Sequence, residues 1–349
     1  MSACDGRQVV SDADSNPDGS LHKLKARLVA GGDQQDKSLS EDLSSPTVST
    51  SAVFTLLAVA AHEERRVAVV DISGAYLNAD MSLEVPVHMH LDRNMTDLIL
   101  DIDPKYSKYT DARGGVMVHL EKALYGCVES SGLRYENLYA TMLGLGYILN
   151  ICDKCVFNRT GPDGPQFTVA VHVSDLLITS NSKGSMFHLV DGLRKRYGSI
   201  ALSHGPVINY LGMAIDMHMP GQAMITTTGY CNEIVRTSGV KGAAMSPATD
   251  GLFGTRENAA AIAEPVRVWF YKVVAMILYL AKRTKPECLV AVAFLSTRVN
   301  KCTADEVEKL QRLVRYIHAT RDSGVVLRPG VSGVVVRLFV DASYGVHTD

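Results

Sequence analysis

Apolar and polar residues alternate in the stretch HKLKARLVA, residues 22–30. A period of two residues is typical of a β-strand, and here it places Lys23, Lys25 and Arg27 on one face. A basic face of this kind is often no more than the solvated edge of a sheet. The pattern therefore predicts a strand and leaves the role of its cations open.

A stronger strand pattern covers residues 168–180, TVAVHVSDLLITS. Two β-branched apolar runs meet at Ser174-Asp175, which predicts a tight β-hairpin with a carboxylate at its tip. A second apolar run, residues 67–70, ends at Asp71 and is followed by Gly74. Carboxylates on two adjacent strands suit hard divalent cations. Asp after a strand is also ordinary turn chemistry, so either position alone is a weak indication.

Helical periodicity appears in several stretches between and after these strands. The last of them begins with a capping box, Thr303 to Glu306. In that helix the predicted core stripe is Val307, Leu310, Leu313, Val314 and Ile317, which leaves Lys309, Arg312 and Arg315 mostly outside. The helix that begins near residue 120 is predicted to bury Leu133, Tyr135, Leu138 and Met142. The predicted helices are residues 52–64, 120–142, 186–197, 266–283, 286–299 and 305–319.

Three segments lack such periodicity. Residues 1–20 are rich in Asp, Ser, Gly and Asn, which predicts no fixed structure. Residues 81–115 are predicted to be an irregular insertion. Residues 239–255 are small and loop-rich, and are predicted to be a linker.

Composition indicates a globular chain with an uneven distribution of charge. Of 349 residues, 46% are hydrophobic and 21% are charged, enough for a substantial core divided between subdomains. The net charge is −2, but residues 264–330 hold 12 Lys and Arg against 6 Asp and Glu, a local charge of +6. This segment is either a solvated basic face or a surface for nucleic acid.

The cysteines and the longest apolar run indicate where in the cell the protein is located. Seven cysteines, scattered without a dense framework, favour reduced thiols and an intracellular location in the cytoplasm or nucleus. Cys152 and Cys155 form a single CxxC without a second pair, so ordinary buried cysteines are expected rather than zinc ligands. Residues 273–281 are too short for a membrane span, and the polar N-terminus is unlike a signal peptide. No membrane partner is expected.

Short motifs follow one another in a fixed order along the chain. They are KARLVA at 25–30, DISGAYLNA at 71–79, LYG at 124–126, HVSDLL at 172–177, YLG at 210–212, LYL at 278–280 and VDAS at 340–343. This series resembles the reverse transcriptase of copia-type LTR retrotransposons, in which the corresponding motifs include KARLVA, DVxxAFLNG, LYG and YVDDLL. The resemblance covers nearly the whole chain from about Lys23.

The resemblance implies an α+β fold of the right-hand polymerase type, with fingers, a palm of antiparallel sheet backed by helices, and a helical thumb and connection. It implies a disordered segment at 1–22, fingers and palm at 23–238, linker and thumb at 239–330, and the truncated start of a ribonuclease H domain at 331–349. The expected cofactor is Mg²⁺ or Mn²⁺, and the expected partners are an RNA or DNA template-primer and deoxynucleoside triphosphates. No nuclease activity is expected of residues 331–349, because a ribonuclease H fold needs more strands and carboxylates. The strand pair near Tyr210 resembles the one that grips the primer end.

The resemblance also assigns roles to single residues. Asp71 and Asp175 correspond to catalytic, metal-binding acids, with Ser174 beside them, and Asp341 to the first metal-binding acid of ribonuclease H. The residues implied to contact the nucleotide are Lys25 and Arg27 for its triphosphate, Tyr76 for exclusion of a ribose 2′-hydroxyl, Gly126 and Glu129. Glu129 and Arg134 stand where relatives often carry Gln and Trp. His204 could protonate the pyrophosphate leaving group, although a loop histidine is more often a bystander.

One position departs from the pattern in a way that bears on function. The family's hairpin carries two consecutive aspartates, and the first is Ser174 here, which removes one of three negative charges facing two divalent cations. The sequence therefore predicts an RNA-directed DNA polymerase of weak or absent activity. The alternatives are a polymerase-fold remnant that binds nucleic acid without synthesis and, last, a metal-dependent hydrolase that uses the same acids.

Overall fold

The computed structural model of the protein describes residues 2–15, 21–35, 45–81, 86–160, 166–256, 259–328 and 330; for 2–15 and 21–27 it describes the backbone. The chain divides into two compact units. The first unit consists of Met1–Val48, Val70–Leu176 and Gly184–Leu202, and the second of Ser49–Val69, Leu177–Lys183 and Ser203–Asp349. The predicted boundary between residues 238 and 239 falls inside the second unit. The predicted start of ribonuclease H, 331–349, lies outside the described residues.

The described chain contains strands, α-helices and short 3₁₀-helices. The strands are β1 (Ser2–Ser15), β2 (Leu21–Ala30), β3 (Arg66–Ile72), β4 (Val87–Leu91), β5 (Val116–His119), β6 (Ile148–Leu149), β7 (Val156–Thr160), β8 (Gln166–His172), β9 (Asp175–Ser180), β10 (Ile200–His204), β11 (Val207–Tyr210), β12 (Met213–Asp216), β13 (Ala223–Thr226) and β14 (Val325–Leu327). The α-helices are α1 (Thr50–His62), α2 (Arg93–Ile102), α3 (Ser130–Gly144), α4 (Lys183–Tyr197), α5 (Thr228–Ser238), α6 (Glu264–Ala281), α7 (Leu289–Thr297) and α8 (Ala304–Ala319). Short 3₁₀-helices cover Gly32–Gln34, Ala75–Asn78, Pro104–Tyr109 and Pro286–Cys288.

The first sheet has the strand order β2-β1-β4-β5. β1 pairs antiparallel with β2 and parallel with β4. The prediction that residues 1–20 lack fixed structure is therefore wrong for Ser2–Ser15. These polar residues have little apolar periodicity, but two partner strands supply the backbone hydrogen bonds that an isolated segment would lack. The strand predicted at residues 22–30 is confirmed as β2.

The segment 81–115 is not an irregular insertion. It contains β4 and α2, and the burial of β4 alternates, with Val87, Met89 and Leu91 buried. Asp92 caps α2, because its side chain accepts a hydrogen bond from the amide of Met95 at 2.9 Å. Alternation over five residues is short, and the charged residues that follow obscured it.

The second sheet has the order β10-β3-β9-β8-β7-β6. β6, β7 and β8 pair antiparallel in sequence. Four consecutive residues of β3, Val67 to Val70, are buried, and so are Leu176 to Ser180 of β9. Strands that are buried on both faces lie in the middle of a sheet. The packing on both faces then fixes the positions of the residues at the strand ends.

Helices and a third sheet make up most of the second unit. β11, β12, β13 and β14 pair antiparallel in that order. The helices α5 to α8 share one apolar core. The capping box of α8 is confirmed, since Thr303 and Glu306 bond reciprocally across its first turn. Of the predicted stripe on α8, Leu310, Leu313, Val314 and Ile317 are fully buried and Val307 is half-buried.

Helices combined with mainly antiparallel sheets confirm the predicted α+β class. Among the helices in the described part of the chain, none has the length and apolar character that crossing a membrane requires.

Candidate functional site

Asp71 lies at the exposed end of a buried strand. Val70 and Ile72 on either side are buried, whereas Asp71 itself is exposed. The chain then turns at Gly74, whose φ of 62° is in the left-handed region that glycine adopts at no steric cost. The buried part of β3 therefore fixes the position of the Asp71 carboxylate at the end of this strand.

The hairpin that carries the second acid turns one residue earlier than predicted. The two turn residues are Val173 and Ser174, and Asp175 is the first residue of β9. Val173 has φ 51°, a left-handed conformation that is rare for a β-branched residue. Because valine favours strands, the sequence pattern assigned Val173 to the strand and placed the turn at Ser174-Asp175.

Backbone and electrostatic contacts show that the two acids are neighbours. β3 and β9 are adjacent in the sheet, and the amide of Ile72 donates a hydrogen bond to the carbonyl of Ser174 at 3.0 Å. Burial raises the pKa of the half-buried Asp175 carboxyl, and the Asp71 carboxylate raises it further, while His172 lowers it. Two carboxylates that repel each other in this way form a suitable oxygen donor set for a divalent cation.

Within the described ranges, no group of three or more His, Cys, Asp or Glu side chains that could hold a metal ion is found. The donor set at the hairpin is thus two carboxylates beside the neutral Ser174. Asp341, the other predicted metal ligand, lies outside the described residues.

A buried arginine supports the turn from the adjacent helix. Arg134 is 4% exposed, and its guanidinium donates a hydrogen bond to the carbonyl of Val173. Its Nε has no hydrogen-bond partner in the described structure, and burial lowers the pKa of the Arg134 guanidinium. Arg134 therefore braces the left-handed residue directly before Ser174.

The buried face of α3 differs from the predicted one. It consists of Ser130, Arg134, Leu138 and Met142, spaced four residues apart, whereas Leu133 and Tyr135 are only half-buried. An arginine in register with two buried apolar residues is the sequence signal that pointed to this position. The apolar stripe was instead drawn through residues 133 and 135, because arginine is seldom fully buried.

The motifs at 71–79 and 124–126 come together through their aromatic residues. The rings of Tyr76 and Tyr125 have centroids 4.5 Å apart at an angle of 58°. The amide of Ala123 donates to the carbonyl of Ala79 at 2.9 Å, and Lys122 forms an ion pair with Asp80. Tyr76 is therefore a half-buried side chain in fixed contact with the second motif.

Gly126 is approached closely by the chain itself. Its φ is 91°, and a Cβ at this position would lie 2.1 Å from the carbonyl oxygen of Ala30. The amide of Ala30 donates to the carbonyl of Tyr125 at 2.7 Å. The sequence predicted that a template or nucleotide packs closely against the backbone of Gly126. In the structure, the end of β2 occupies that place.

Glu129 is buried and hydrogen-bonded inside the first unit. Gln35 donates to its carboxylate at 3.1 Å and accepts from the amide of Val128 at 2.8 Å. Lys25 and Arg27 lie in β2 opposite Asp12 and Val10. The side chains of Lys25 and Arg27 lie outside the described part of the structure.

Comparison with known proteins identifies the family. A model of the reverse transcriptase (RNA-dependent DNA polymerase) family matches residues 8–248, more than half of the chain. The chain belongs to the reverse transcriptase family. The matched range includes Asp71, Arg134, Ser174 and Asp175, and the resemblance to a copia-type retrotransposon reverse transcriptase is confirmed.

Curated relatives of this reverse transcriptase chain are retrovirus-related Pol polyproteins. Those of transposons RE2 and RE1 from Arabidopsis thaliana are 25% and 24% identical, each over 96% of this chain and over 22% and 21% of the polyprotein. That of transposon TNT 1-94 from Nicotiana tabacum is 23% identical over 94% of this chain and 24% of the polyprotein. The chain spans about a fifth to a quarter of the length of these relatives.

Solved structures with detectable similarity include two telomerases. That of Candida albicans, in complex with a fragment of telomeric RNA, has a TM-score of 0.32 and 9% identity, covering 90% of this chain and 63% of that one. That of Candida tropicalis has a TM-score of 0.28 and 9% identity, covering 61% of this chain and 53% of that one. The reverse transcriptase assignment does not depend on similarity at this level.

The basic residues of α8 make more hydrogen bonds within the chain than the sequence predicted. Arg312 donates to the hydroxyl of Ser246 at 2.9 Å, and Arg315 donates to the carbonyl of Lys241 at 3.1 Å. Lys309 bonds the carbonyl of Gly254 and the carboxylate of Asp305. All three cations are half-buried and hold the predicted linker against α8, so the expectation that they lie mostly outside is wrong.

The strand pair near Tyr210 is a hairpin, β11 to β12, joined by Leu211 and Gly212. Both turn residues have positive φ, 50° and 75°, as type I′ hairpin turns require. Tyr279 donates its hydroxyl to the carbonyl of Leu211 at 3.4 Å, and the Arg283 guanidinium stacks 3.5 Å above the Tyr279 ring. His204 is exposed at the end of β10.

Proposed function

We propose that this chain is the RNA-directed DNA polymerase domain of a retrotransposon Pol polyprotein, weakened by Ser174 at the position of a family aspartate. The observation that carries the proposal is the position of Asp71 and Asp175 at the ends of adjacent strands, which the hydrogen bond from the Ile72 amide to the Ser174 carbonyl joins. Membership of the reverse transcriptase family and the retrotransposon relatives support the reaction class.

Asp71 and Asp175 are the residues that would hold Mg²⁺ or Mn²⁺. Such ions, when bound, neutralise charge on the phosphates and favour the ionised primer 3′-hydroxyl. Because the pKa of Asp175 is raised, a proton competes with a cation for this carboxyl up to a higher pH than it would at an ordinary aspartate. Ser174 contributes a neutral hydroxyl in place of a charge, and its carbonyl is already bonded to Ile72.

Other side chains of the first unit would position the nucleotide. Tyr76, fixed against Tyr125, is suited to exclude a ribose 2′-hydroxyl by its bulk. Lys25 and Arg27 carry charges suited to a triphosphate. Gly126 and Glu129 act indirectly in this proposal, because their described contacts are with the chain itself.

The arrangement of subdomains in this proposal is that of a right hand. The first unit contains the two acids Asp71 and Asp175, and the helices α6 to α8 are assigned to the thumb and connection. The +6 charge of residues 264–330 favours contact with the phosphates of a template-primer.

Primer extension tests the proposal. An oligo(dT) primer on a poly(A) template is extended with Mg²⁺ or Mn²⁺ by the natural chain, Asp71→Asn, Asp175→Asn and Ser174→Asp. Ser174→Asp restores the third negative charge and should increase the rate of primer extension on the order of 10²–10³-fold. Ser174→Asn is the matched control, because it has the size of aspartate without its charge.

The outcomes separate the possible functions. Synthesis that is lost with Asp71→Asn or Asp175→Asn and increased only by Ser174→Asp supports the proposal. Synthesis by the natural chain that neither acid affects would overturn the assigned site. Template-primer binding without synthesis, even by Ser174→Asp, would establish the alternative of a nucleic-acid-binding remnant.

A further inference from the structure

A cavity of about 580 Å³ lies in the second unit, between the C-terminal end of α5, the first turns of α6 and the middle of α8. Ligand sites typically have volumes of roughly 300–1,000 Å³. None of the residues that line this cavity belongs to the candidate site around Asp71 and Asp175. The apolar part of its wall consists of Val240, Pro265, Val266, Trp269 and Val307.

Trp269, the only tryptophan in the chain, is fixed at this wall. Its indole Nε1 donates a hydrogen bond to the carbonyl of Ser238 at 3.2 Å, and the half-buried ring packs against the core of the helices. Because its N–H is already bonded, the ring offers a ligand its apolar face. A fixed aromatic face of this kind is a platform on which a planar group can stack.

Two cations border the same cavity. Nε of Arg315 donates to the carbonyl of Lys241 at 3.1 Å, which leaves the terminal nitrogens of the guanidinium without a partner among the described residues. The Lys241 ammonium is exposed and has no ion pair or hydrogen bond to a described residue. The described residues that line the cavity include no carboxylate. A ligand that fits here therefore combines a flat ring with a negative charge.

A second cavity, of about 640 Å³, shares Gln311 and Arg315 with the first. Arg312 also lines it, and the Nε of Arg312 is buried without a hydrogen-bond partner in the described structure. Arg312 and Arg315 are three residues apart and therefore neighbours on one face of α8. The other charged side chains of this cavity pair with one another; they are Arg256, Asp305, Glu308 and Lys309. The uncompensated positive charge thus extends from one cavity into the other.

The simpler interpretation is a gap between helix ends in which Trp269 only completes the core. Packing and the bond to Ser238 do account for the position of the ring. They do not account for two cations without a carboxylate beside it, or for the continuation of positive charge along α8. An acidic peptide would match the charge, but the aromatic platform and the proposed polymerase function favour nucleic acid.

We propose that the two cavities bind single-stranded nucleic acid, with one base stacked on Trp269 and the adjacent phosphates bound by the cations. Those cations are Lys241, Arg315 and Arg312. The choice of nucleic acid as the partner rests on the proposed function. An aromatic platform beside a positively charged groove binds single strands with little sequence preference. Bases in a duplex stack on each other, so Trp269 selects the unpaired part of a template.

Tryptophan fluorescence tests the proposal directly, because Trp269 is the only tryptophan in the chain. Single-stranded oligo(A) of about ten nucleotides, titrated into the full chain, should quench this fluorescence. A duplex of oligo(A) with oligo(U), and free AMP, should each bind on the order of tenfold more weakly, because the duplex lacks an unstacked base and AMP lacks the second phosphate. A poly-glutamate peptide should not quench the fluorescence.

Variants are compared by the fluorescence anisotropy of labelled oligo(A). Trp269→Leu should weaken binding about 5–150-fold, the equivalent of one base–aromatic stack, whereas Trp269→Phe keeps an aromatic face and should retain most of the affinity. Lys241→Gln should lower the slope of log affinity against log salt by about 0.7, the loss of one phosphate contact on a single strand. The matched control is Lys282→Gln, which removes an exposed charge at the other end of α6, about 20 Å along the helix from Trp269.

The outcomes are distinct, once circular dichroism has established that each variant is folded. Binding that Trp269→Leu weakens, Trp269→Phe retains and Lys282→Gln leaves unchanged supports the proposal. Equal quenching by single strand and duplex, quenching by poly-glutamate, or an equal change of salt slope in Lys241→Gln and Lys282→Gln would overturn it. Primer extension by the same preparation separates the two proposals. Quenching by oligo(A) without DNA synthesis contradicts the proposed function alone, and synthesis without quenching contradicts this inference alone.

Discussion

The amide of Ile72 donates a hydrogen bond to the carbonyl of Ser174, at 3.0 Å. This bond joins the residue after one candidate catalytic acid to the residue before the other. The relative position of Asp71 and Asp175 is therefore set by the backbone, while the side chain at 174 sets the charge between them. Substitutions at 174 should accordingly change chemistry more than geometry.

Asp71→Asn should lower the pKa of Asp175. The Asp71 carboxylate is the second cause of the raised pKa of Asp175, after burial, and the amide removes that repulsion without altering size. The carboxyl resonance of Asp175, followed by NMR as pH is varied, measures the change. An unchanged midpoint would mean that burial alone perturbs Asp175.

The same shift predicts how stability depends on pH. Because the folded state holds a proton on Asp175 at pH values where the unfolded chain has lost it, the contribution of Asp175 to stability declines as pH rises from the ordinary aspartate pKa of 3.8 through the raised pKa. Urea unfolding across this range should show a smaller decline in Asp71→Asn than in the natural chain. An equal decline in both proteins would contradict the coupling.

Arg134→Met should loosen the turn at Val173 and Ser174 more than the whole protein. Methionine removes the donor to the Val173 carbonyl but also relieves the cost of a buried guanidinium, so global stability should change little. Hydrogen exchange at the Ile72 amide, which reports the bond to Ser174, should accelerate on the order of tenfold. Arg134→Lys should recover part of the protection.

Arg65→Met is the matched control for this variant. Arg65 is also buried, at 6% exposure, but it bonds Glu63 and Thr179 rather than the turn. Its substitution should leave exchange at Ile72 unchanged relative to the rest of β3. Equal acceleration in both variants would show that Arg134 acts on general stability alone.

Gly126→Ala should be strongly destabilising. A Cβ at this position would meet the Ala30 carbonyl at 2.1 Å, in a backbone with φ 91°. Overpacking and backbone strain together should cost about 3–4 kcal/mol in urea unfolding. Gly198→Ala is the control. Gly198 has φ 72°, but apart from its two chain neighbours no described residue has a heavy atom within 4 Å of the place that an alanine methyl group would take, so strain alone should cost about 1–2 kcal/mol.

The double variant Arg312→Gln and Arg315→Gln should flatten the salt dependence of template-primer binding. Both arginines bond neutral groups, a hydroxyl and a carbonyl, so their charges remain available to phosphate. The slope of log affinity against log salt should fall by about 0.7–0.9 for each phosphate that the variant no longer neutralises. Arg256→Gln is the control, because Arg256 is already paired with Asp305 and Glu308.

The sequence predicted those features whose signal is local. The strand of Lys25, the helix caps at Thr303 and the carboxylates at strand ends all follow from residue spacing within one element. The strand Ser2–Ser15 could not be predicted from its own residue spacing, because its hydrogen-bond partners are β2 and the distant β4. A strand stabilised by neighbours carries little pattern of its own.

At the candidate site, the position of the two acids at strand ends was predictable, and the residues that support them were not. The position of the turn depends on Val173 adopting a left-handed conformation, and that depends on Arg134 of another element. Valine alone indicates a strand, and arginine alone indicates a surface. Only their contact in three dimensions explains why each departs from its usual place.

The parallel pairing of β1 with β4 has a consequence for synthesis on the ribosome. Ser2 pairs with Val87, so an early strand must wait for a partner 85 residues later in translation. At roughly 5–20 residues per second, that delay is about 4–17 s. During this interval β1 and β2 can form only a hairpin with an open edge, which makes the nascent chain a substrate for chaperones that shield unpaired strands.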